Sequence, residues 1–269
     1  MQVPRGVRQE DGRFARSYAF KPLTGAVEAE AADAASAASR PEAIANVLAV
    51  MLAHIGGKPV DRDVVHMLPV GDTRVMMANL ARHVGVGQQW MTGACSSCNS
   101  PFDFSISPAD LPMPQETAVE QDWFEVETAR GPVLVRAPLC SDQIAIARQP
   151  DPERALLERC VAPARMEEKF RFEFAESDLA AIDAAMTALS PSLPFGAAVA
   201  CPECGRTSEL PVCTSDWLGQ LDEGPLQDVH DIASAYGWGE GEILALSRQR
   251  RKAYLRLIDE GRGMISGRA

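Results

Sequence analysis

The sequence predicts an α+β fold in which N- and C-terminal helices enclose a small antiparallel β region, with two Cys-x-x-Cys turns meeting in the middle. Three observations predict it. Residues 44–51 and 229–236 carry apolar side chains at spacings of three and four, as amphipathic helices do. Residues 102–106 and 123–128 alternate apolar and polar, as half-buried strands do. Two Cys pairs stand in similar local contexts, each after a small residue and before an extended run.

Composition narrows the class of protein. The 269 residues are 46% hydrophobic and 23% charged, which is enough for one large domain or two small ones. The net charge of −11 does not suit a protein that grips a phosphate backbone through Lys and Arg. No apolar run is long enough to span a bilayer, and residues 1–6 lack the apolar core of a signal peptide. We therefore expect a cytoplasmic, reducing location and no membrane partner.

The first 90 residues predict an arm followed by helices. Residues 1–20 are polar and are interpreted as an N-terminal arm that only a partner would order. Thr24 is expected to cap a helix over residues 26–39, which has little to bury and is either exposed or disordered. Pro41 opens a second helix that ends at Gly56.

A short helix is predicted from Asp61 to Leu68, and a third longer one begins at a capping Asp72 and ends near Gly85. This helical region, residues 21–90, delivers the chain to the first Cys pair. Residues 91–222 are expected to form the β-rich core with inserted helices.

Within residues 91–222, the runs at 123–128 and 133–135 predict a hairpin. Asp151 and Pro152 begin a short helix, residues 170–174 predict a strand, and Ser177 begins a helix that ends near Leu189. The second Cys pair follows. Because both pairs come after a helix and before a strand, the two passages are predicted to be a pseudo-repeat.

The C-terminal tail, residues 223–269, is predicted to be helical. A helix over 225–236 stops at Gly237, a short one follows, and Ser247 caps a third that ends at Gly261, with residues 262–269 frayed. The basic cluster at 248–252 is expected on the solvated or partner-facing side of that last helix.

The two Cys-x-x-Cys pairs carry the chemistry. Each turn presents two thiolates, and two turns supply the four soft ligands of a tetrahedral structural zinc site. Cys201 follows Cys95 by 106 positions, which is far longer than the gap in an ordinary zinc ribbon. We therefore predict a split zinc ribbon with one structural Zn per chain, and its predicted ligands are Cys95, Cys98, Cys201 and Cys204.

Two alternatives remain for the Cys pairs: turns without metal, and a redox-active dithiol. A redox pair normally sits at a helix N-terminus, whereas strand-like residues follow both pairs here. The other cysteines, Cys140, Cys160 and Cys213, are expected to be small buried side chains. The four His residues are isolated on predicted helices and are not expected to bind metal; they are His54, His66, His83 and His230, the last expected to pack beside Tyr236.

The chain resembles the T4-type phage baseplate protein family, often described as baseplate hub assembly chaperones, whose relatives occur in contractile tails and phage-like contractile injection systems. The matching stretches are residues 21–25, 68–72, both Cys pairs, 135–138 and, most specifically, 229–247 with Arg250-Arg251 and Tyr254-Leu255. One departure is the first turn, which reads Cys-Ser-Ser-Cys-Asn where the second reads Cys-Pro-Glu-Cys-Gly. Asn is the residue after Gly that best adopts a left-handed turn, so the geometry can survive.

The resemblance implies a non-enzymatic component or assembly factor of a contractile baseplate, acting by protein–protein binding. Its implied partners are baseplate or tail hub proteins, with no nucleic acid, membrane or small-molecule substrate. It would work in the host or bacterial cytoplasm during assembly, or in the finished tail. The alternatives are a zinc-ribbon adaptor in transcription or nucleic-acid metabolism and a thiol oxidoreductase. No Ser/His/Asp grouping, phosphate-binding Gly loop or paired-carboxylate motif points to an enzyme.

Overall fold

The protein has a mixed α and β structure. The computed structural model describes residues 1–111, 121–165, 172–193, 196–212, 214–220 and 224–266. Four small sheets hold the described strands, all paired antiparallel. The strands are β1 (Gln2–Arg8), β2 (Phe14–Phe20), β3 (Leu52–Ile55), β4 (Lys58–Pro59), β5 (Gln89–Ala94), β6 (Pro101–Ile106), β7 (Trp123–Thr128), β8 (Gly131–Arg136), β9 (Val161–Pro163), β10 (Gly196–Ala200) and β11 (Thr207–Pro211).

Ten helices accompany these sheets in the described ranges. They are α1 (Gly25–Ala35), α2 (Arg40–Met51), α3 (Arg62–His66), α4 (Val70–His83), α5 (Cys140–Ile146), α6 (Pro152–Cys160), α7 (Glu176–Leu189), α8 (Leu226–Tyr236), α9 (Glu240–Leu244) and α10 (Arg248–Ser266). Short 3-10 helices occupy Pro108–Asp110 and Thr214–Gln220. No helix in this part of the chain combines the length and the apolar character needed to cross a membrane.

The first twenty residues are not an arm, and that prediction was wrong. They form the hairpin β1–β2, which β3 and β4 extend into a four-stranded sheet. Val3 and Tyr18 are each 1% exposed and belong to the largest core. The polar composition was misleading because Asp72 accepts hydrogen bonds from the backbone N–H groups of Arg5 and Gly6, at 3.1 and 2.6 Å. A polar strand is thereby tied to the body of the protein.

The second predicted helix, α2, begins beside Pro41 but ends earlier than predicted, at Met51. The chain enters β3 directly at Leu52, and the Gly56–Gly57 pair forms the turn to β4 instead of ending the helix. The preceding helix α1 is ordered and capped by Thr24, as predicted, since the Thr24 side chain accepts from the Val27 N–H. It is not simply exposed, because Glu28 and Ala31 are buried.

The short helix predicted from Asp61 is α3, which ends at His66 instead of Leu68, and the Asp61 side chain caps it by accepting from the Val64 N–H. The predicted cap at Asp72 was wrong. Helix α4 begins at Val70, after Pro69, so Asp72 lies within its first turn and turns its carboxylate toward β1. The predicted alternation at residues 102–106 is confirmed in β6, where Phe102, Phe104 and Ile106 are buried.

The predicted hairpin is β7–β8, and β9 adds a third strand to it. The strand predicted for residues 170–174 is not formed in its described part, because residues 172–174 have no regular structure, while Phe170 lies outside the described residues. Helix α7 covers the predicted span and packs on β7 and β8. Its Ile182 and Met186 join Val133, Val135 and Cys160 in a second core.

The three helices of the tail form a unit with a small core of its own, built from Ile232, Ile243 and Ile258. Gly237 ends α8 in a left-handed conformation (φ 67°), as predicted. Helix α10 continues past Gly261 to Ser266, so the predicted stop at Gly261 was wrong. The predicted packing of His230 beside Tyr236 was also wrong, because His230 is exposed.

The basic cluster at the start of α10 does not point wholly outward, contrary to the prediction. Arg251 is 0% exposed and donates to the carboxylates of Glu28 and Asp228. Arg248 donates to Glu28 at 2.5 Å and to the Val84 carbonyl. Arg251 can be buried because it finds carboxylate acceptors, which offset the cost of removing its charge from water, and Arg248 is half-buried beside it.

Candidate metal centre

The four cysteines of the two Cys-x-x-Cys pairs lie together although they are far apart in the sequence. Cys95 and Cys98 occupy the turn between β5 and β6, and Cys201 and Cys204 occupy the turn between β10 and β11. Their four sulfur atoms all lie within 4.8 Å of one another. The two hairpins therefore meet at their tips, and the cluster could hold one metal ion.

The two turns have the same backbone geometry. In the first, the Cys95 N–H donates to the Ser100 carbonyl at 3.0 Å and the Asn99 N–H donates to the Cys95 carbonyl at 2.9 Å. In the second, the Cys201 N–H donates to Arg206 and the Gly205 N–H donates to Cys201, both at 2.9 Å. These bonds join equivalent positions, so the predicted similarity of the two turns is confirmed.

Asn99 and Gly205 occupy the left-handed position of their turns, with φ of 58° and 71°. Asn99 is the one non-Gly residue with positive φ in the described ranges. Glycine adopts this conformation without steric cost, and Asn tolerates it better than most residues. The departure of the first turn from the Cys-Pro-x-Cys-Gly pattern therefore leaves its shape unchanged.

The equivalence extends beyond the turns. Helices α4 and α7 each have 14 residues and end 12 positions before Cys95 and Cys201 respectively. Each hairpin is followed by a 3-10 helix that begins 13 positions after the first Cys, at Pro108 and at Thr214. Helix, hairpin and 3-10 helix thus recur at matched spacing, which supports the predicted pseudo-repeat.

Close packing brings the two hairpins together beneath the cysteines. A β-carbon added at Gly93 of β5 would lie 2.6 Å from a methyl carbon of Leu210 in β11, so any larger residue there would require the Leu210 side chain to move. Leu210 is buried in the same core as Phe102 and Phe104 of β6. Cys95 and Cys201 are 1% and 2% exposed, whereas Cys98 and Cys204 face solvent. The centre therefore sits at the edge of the main core, with one side open.

Two close sulfur–sulfur distances run between the hairpins. Cys95 Sγ lies 3.6 Å from Cys204 Sγ, and Cys98 Sγ lies 3.7 Å from Cys201 Sγ. Four sulfurs bound tetrahedrally at about 2.3 Å from one metal ion lie about 3.8 Å apart. The two distances between the hairpins are close to that value.

Donors around Cys95 favour its thiolate. The Ser208 hydroxyl donates to Cys95 Sγ at 3.5 Å, and the Ser97 N–H approaches it at 3.4 Å. These hydrogen bonds, that of Ser208 foremost, lower the pKa of Cys95 to about 6. Hydrogen bonds from Ser100 likewise hold the pKa of Cys98 below its usual range.

Cys204 shows the opposite shift. The backbone N–H of Arg206 favours its thiolate, but local desolvation by the surrounding atoms and the neighbouring sulfurs of Cys95, Cys98 and Cys201 outweigh it and raise its pKa to about 12. Like charges crowded at one place disfavour full ionisation, and a bound cation removes this penalty. The donor set therefore fits a divalent cation that prefers sulfur.

The remaining cysteines are placed as predicted where the structure describes them. Cys140 and Cys160 are 2% and 0% exposed. Burial raises their pKa values to about 11 and about 12, so both are neutral thiols packed in the cores. Cys213 lies outside the described residues. Within the described ranges, no His residue belongs to a cluster that could bind a metal ion.

Sequence reasoning missed Ser208, which is 1% exposed and also accepts from the Ser96 N–H at 3.1 Å. Its side chain links the second hairpin to the first turn. The signal was its inward position in the alternating strand after Cys204, where a polar residue needs a buried partner.

Compared with protein families, with curated proteins and with solved structures, the chain gives no match. The assignment of the centre therefore rests on the geometry of its own residues. The four cysteines that the sequence predicted are those that the fold brings together.

Proposed function

We propose that Cys95, Cys98, Cys201 and Cys204 hold one structural zinc ion. The observation that supports it is the gathering of four sulfurs within 4.8 Å of one another, with distances of 3.6 and 3.7 Å between the hairpins. Zinc is the metal that four-cysteine sites of this kind most often hold in structural roles. Four thiolates fill its coordination sphere and leave no position for a reactive water, so the ion would join the two hairpins and would not catalyse a reaction.

Metal analysis of protein purified without added metal tests this assignment. We expect about one zinc per chain, lost in Cys95→Ser and in Cys201→Ser alike, because each hairpin supplies half of the ligands. Cys140→Ala, which changes a buried cysteine outside the cluster, should retain the metal. Wild-type protein without metal and with freely titratable thiols would contradict the proposal.

We further propose that the protein is a non-enzymatic component or assembly factor of a contractile phage tail or injection-system baseplate. The support is the resemblance of residues 229–247 to the T4-type phage baseplate family. In the structure these residues run from α8 through α9 to Ser247, directly before α10. Within this stretch, the Leu246 carbonyl accepts a hydrogen bond from the Gly25 N–H at the start of α1. The most specific stretch of the resemblance thus covers one continuous unit of the structure.

The surface of the C-terminal unit supports a role in protein–protein binding. Leu226, Tyr236 and Leu257 are 69%, 42% and 52% exposed. Tyr236 stacks on Trp238, and both contact Tyr254, which places three aromatic rings on one side of the unit. Exposed aromatic and large apolar side chains are typical of surfaces that partners cover. The expected partners are baseplate or tail hub proteins.

Deletion of the gene, with complementation, tests the baseplate role. We expect the deletion to block or alter baseplate assembly, and an affinity-tagged copy to co-purify with baseplate or hub subunits. Intact baseplates in the deletion strain, together with no co-purifying tail subunit, would refute the role. A zinc-ribbon adaptor for nucleic acid would instead shift labelled DNA or RNA in a salt-dependent way.

A further inference from the structure

A cleft of about 600 Å³ lies between the N-terminal hairpin, the α3–α4 segment and the β7–β8 hairpin. Its size falls within the range of pockets that bind ligands or peptide side chains, about 300–1,000 Å³. It includes none of the four cysteines of the candidate metal centre. The main core lies on one side and the core of β7–β9 and α7 on the other. Junctions of this kind are common positions for binding sites.

The cleft has an apolar wall whose members are open to solvent. Met67 is 60% exposed and Trp123 is 40% exposed, and both line it. They are two of the few large apolar side chains left exposed in the described residues. Val7, Phe14 and Leu139 extend the same wall. Flexible Met and flat Trp side chains suit a surface that takes up an apolar group of another protein.

The arginines of the cleft are already engaged by the protein itself. Arg5 donates to the Leu189 and Gln121 carbonyls, both at 2.7 Å, and lies over the Phe14 ring. Arg8 is paired with Asp122. Arg136 donates to both carboxylate oxygens of Asp142, at 2.6 and 3.0 Å. These guanidinium groups have acceptors at hand and are poorly placed to recruit an anionic ligand.

Two carboxylates remain open. Asp61 and Asp63 are exposed at the start of α3, beside Met67. One carboxylate oxygen of Asp61 accepts from the Val64 backbone N–H. The other oxygen has no hydrogen-bond or ion-pair partner within the described part of the chain. For Asp63, no hydrogen bond or ion pair of the side chain occurs within the described ranges. The charges still available to a ligand at this cleft are therefore negative, in a chain whose net charge is −11.

We infer that this cleft docks a segment of a partner protein that carries an apolar side chain flanked by Lys or Arg. The apolar group would lie against Met67 and Trp123, and the cations would face Asp61 and Asp63. Charge complementarity of this kind mainly sets specificity and association rate, while the buried apolar anchor holds the segment in place. The inference rests on the proposed binding role and adds the chemistry of the partner.

Two synthetic heptapeptides test the docking inference without any tail protein. A negative result would therefore count against the docking inference and leave the baseplate role untouched. One alternates Lys and Leu, and the other alternates Glu and Leu; both carry a fluorophore, and binding is followed by fluorescence anisotropy. We expect the Lys peptide to bind at least tenfold more tightly than the Glu peptide. Equal binding of both, or no binding of the Lys peptide, would overturn the inference.

Matched variants then locate the binding. The double variant Asp61→Asn with Asp63→Asn should lower the affinity for the Lys peptide about tenfold. The helix cap survives in this variant because an asparagine side chain can also cap α3. The control double variant, Glu30→Gln with Asp33→Asn, makes the same charge change on exposed positions of α1. It should lower the affinity for the Lys peptide less than twofold. Met67→Ser should weaken binding without changing its salt dependence. Equal losses of affinity in the two double variants would show non-specific attraction and overturn the proposal. The proposal would also be overturned if the protein formed a dimer that Met67→Ser converted to a monomer, because the cleft would then bind a second copy of the chain.

Discussion

At Asp142 one buried carboxylate holds several elements together. The residue is 1% exposed and accepts from Arg136, from Arg159 at 2.7 Å and from the Leu139 N–H at 2.9 Å. Burial alone would raise its pKa, but the hydrogen bonds from Arg136, Leu139 and Arg159 together hold the pKa below its ordinary value. The ionised form is therefore the one that the folded state prefers.

Asp142→Asn should destabilise the protein by about 3 kcal/mol, the lower end of the range for breaking a buried ion pair. The lower end applies because Arg136 and Arg159, 21% and 43% exposed at their side chains, can be hydrated once the charge is gone. Chemical denaturation measures the loss. Glu158→Gln, which breaks the exposed pair with Arg154, is the control and should change stability by less than about 1 kcal/mol.

The same comparison has a defined pH dependence. Because the folded-state pKa of Asp142 lies below its unfolded value, its stabilising contribution is complete above about pH 4 and is lost as pH falls through the folded pKa. The difference in unfolding free energy between wild type and Asp142→Asn should therefore shrink below about pH 4. A difference that stays constant down to about pH 2 would contradict this role.

Single residues differ in how far the sequence reveals them. The four cysteines could be predicted, because a Cys-x-x-Cys spacing by itself places two sulfurs at one turn. The buried Asp72, Asp142 and Arg251 could not, since each is stabilised by partners at positions distant in sequence. A charged side chain looks the same in a sequence whether water or a buried partner satisfies it.

The joint between α1 and α10 shows how two distant helices are fixed. The residues before them, Thr24 and Ser247, form an antiparallel bridge, with the Gly25 N–H donating to Leu246 and the Arg248 N–H donating to Leu23. Glu28, whose side chain is 4% exposed, accepts from both Arg248 and Arg251. The C-terminal unit is therefore attached mainly by polar contacts, while its apolar core stays its own.

Glu28→Gln should weaken this joint, because it leaves Arg251 buried with one carboxylate fewer. We expect a loss of about 3–5 kcal/mol from removing one partner of a buried pair. Hydrogen exchange should accelerate in α8–α10 more than in β5–β6. Glu30→Gln, two positions along on the exposed side of α1, serves as control and should leave exchange unchanged. Equal acceleration throughout the chain would speak against a local joint.

Helices with a clear end signal could be predicted from the sequence, as Asp151 before α6 and Gly237 after α8 show. The hairpin β1–β2 could not, because its polar residues are held by α4 and not by an alternating pattern. The early end of α2 was missed for a related reason. Leu52 pairs with Phe20 in the sheet, and that tertiary pairing overrides a local preference to continue the helix.

Over the whole molecule, the proposed zinc ion should decide whether the main core assembles. Structural zinc binding contributes about 10–16 kcal/mol in zinc-finger peptides, which is as large as the entire stability of a typical domain, about 5–15 kcal/mol. A zinc chelator should therefore unfold the regions around β5–β6 and β10–β11. The core of Ile232, Ile243 and Ile258 contains no cysteine and should keep its helices. Circular dichroism measures the total loss of structure, and hydrogen exchange locates it in the hairpins or in the C-terminal helices. An unchanged unfolding midpoint after chelation would contradict the prediction.

The interval of 106 positions between Cys95 and Cys201 has a consequence for synthesis in the cell. A ribosome adding about 5–20 residues per second needs roughly 5–20 seconds to travel from one pair to the other. During that time the first two thiols leave the ribosome without their partners. Loading of the proposed ion must wait until translation has passed Cys204, so the centre closes long after the first pair of thiols has been made.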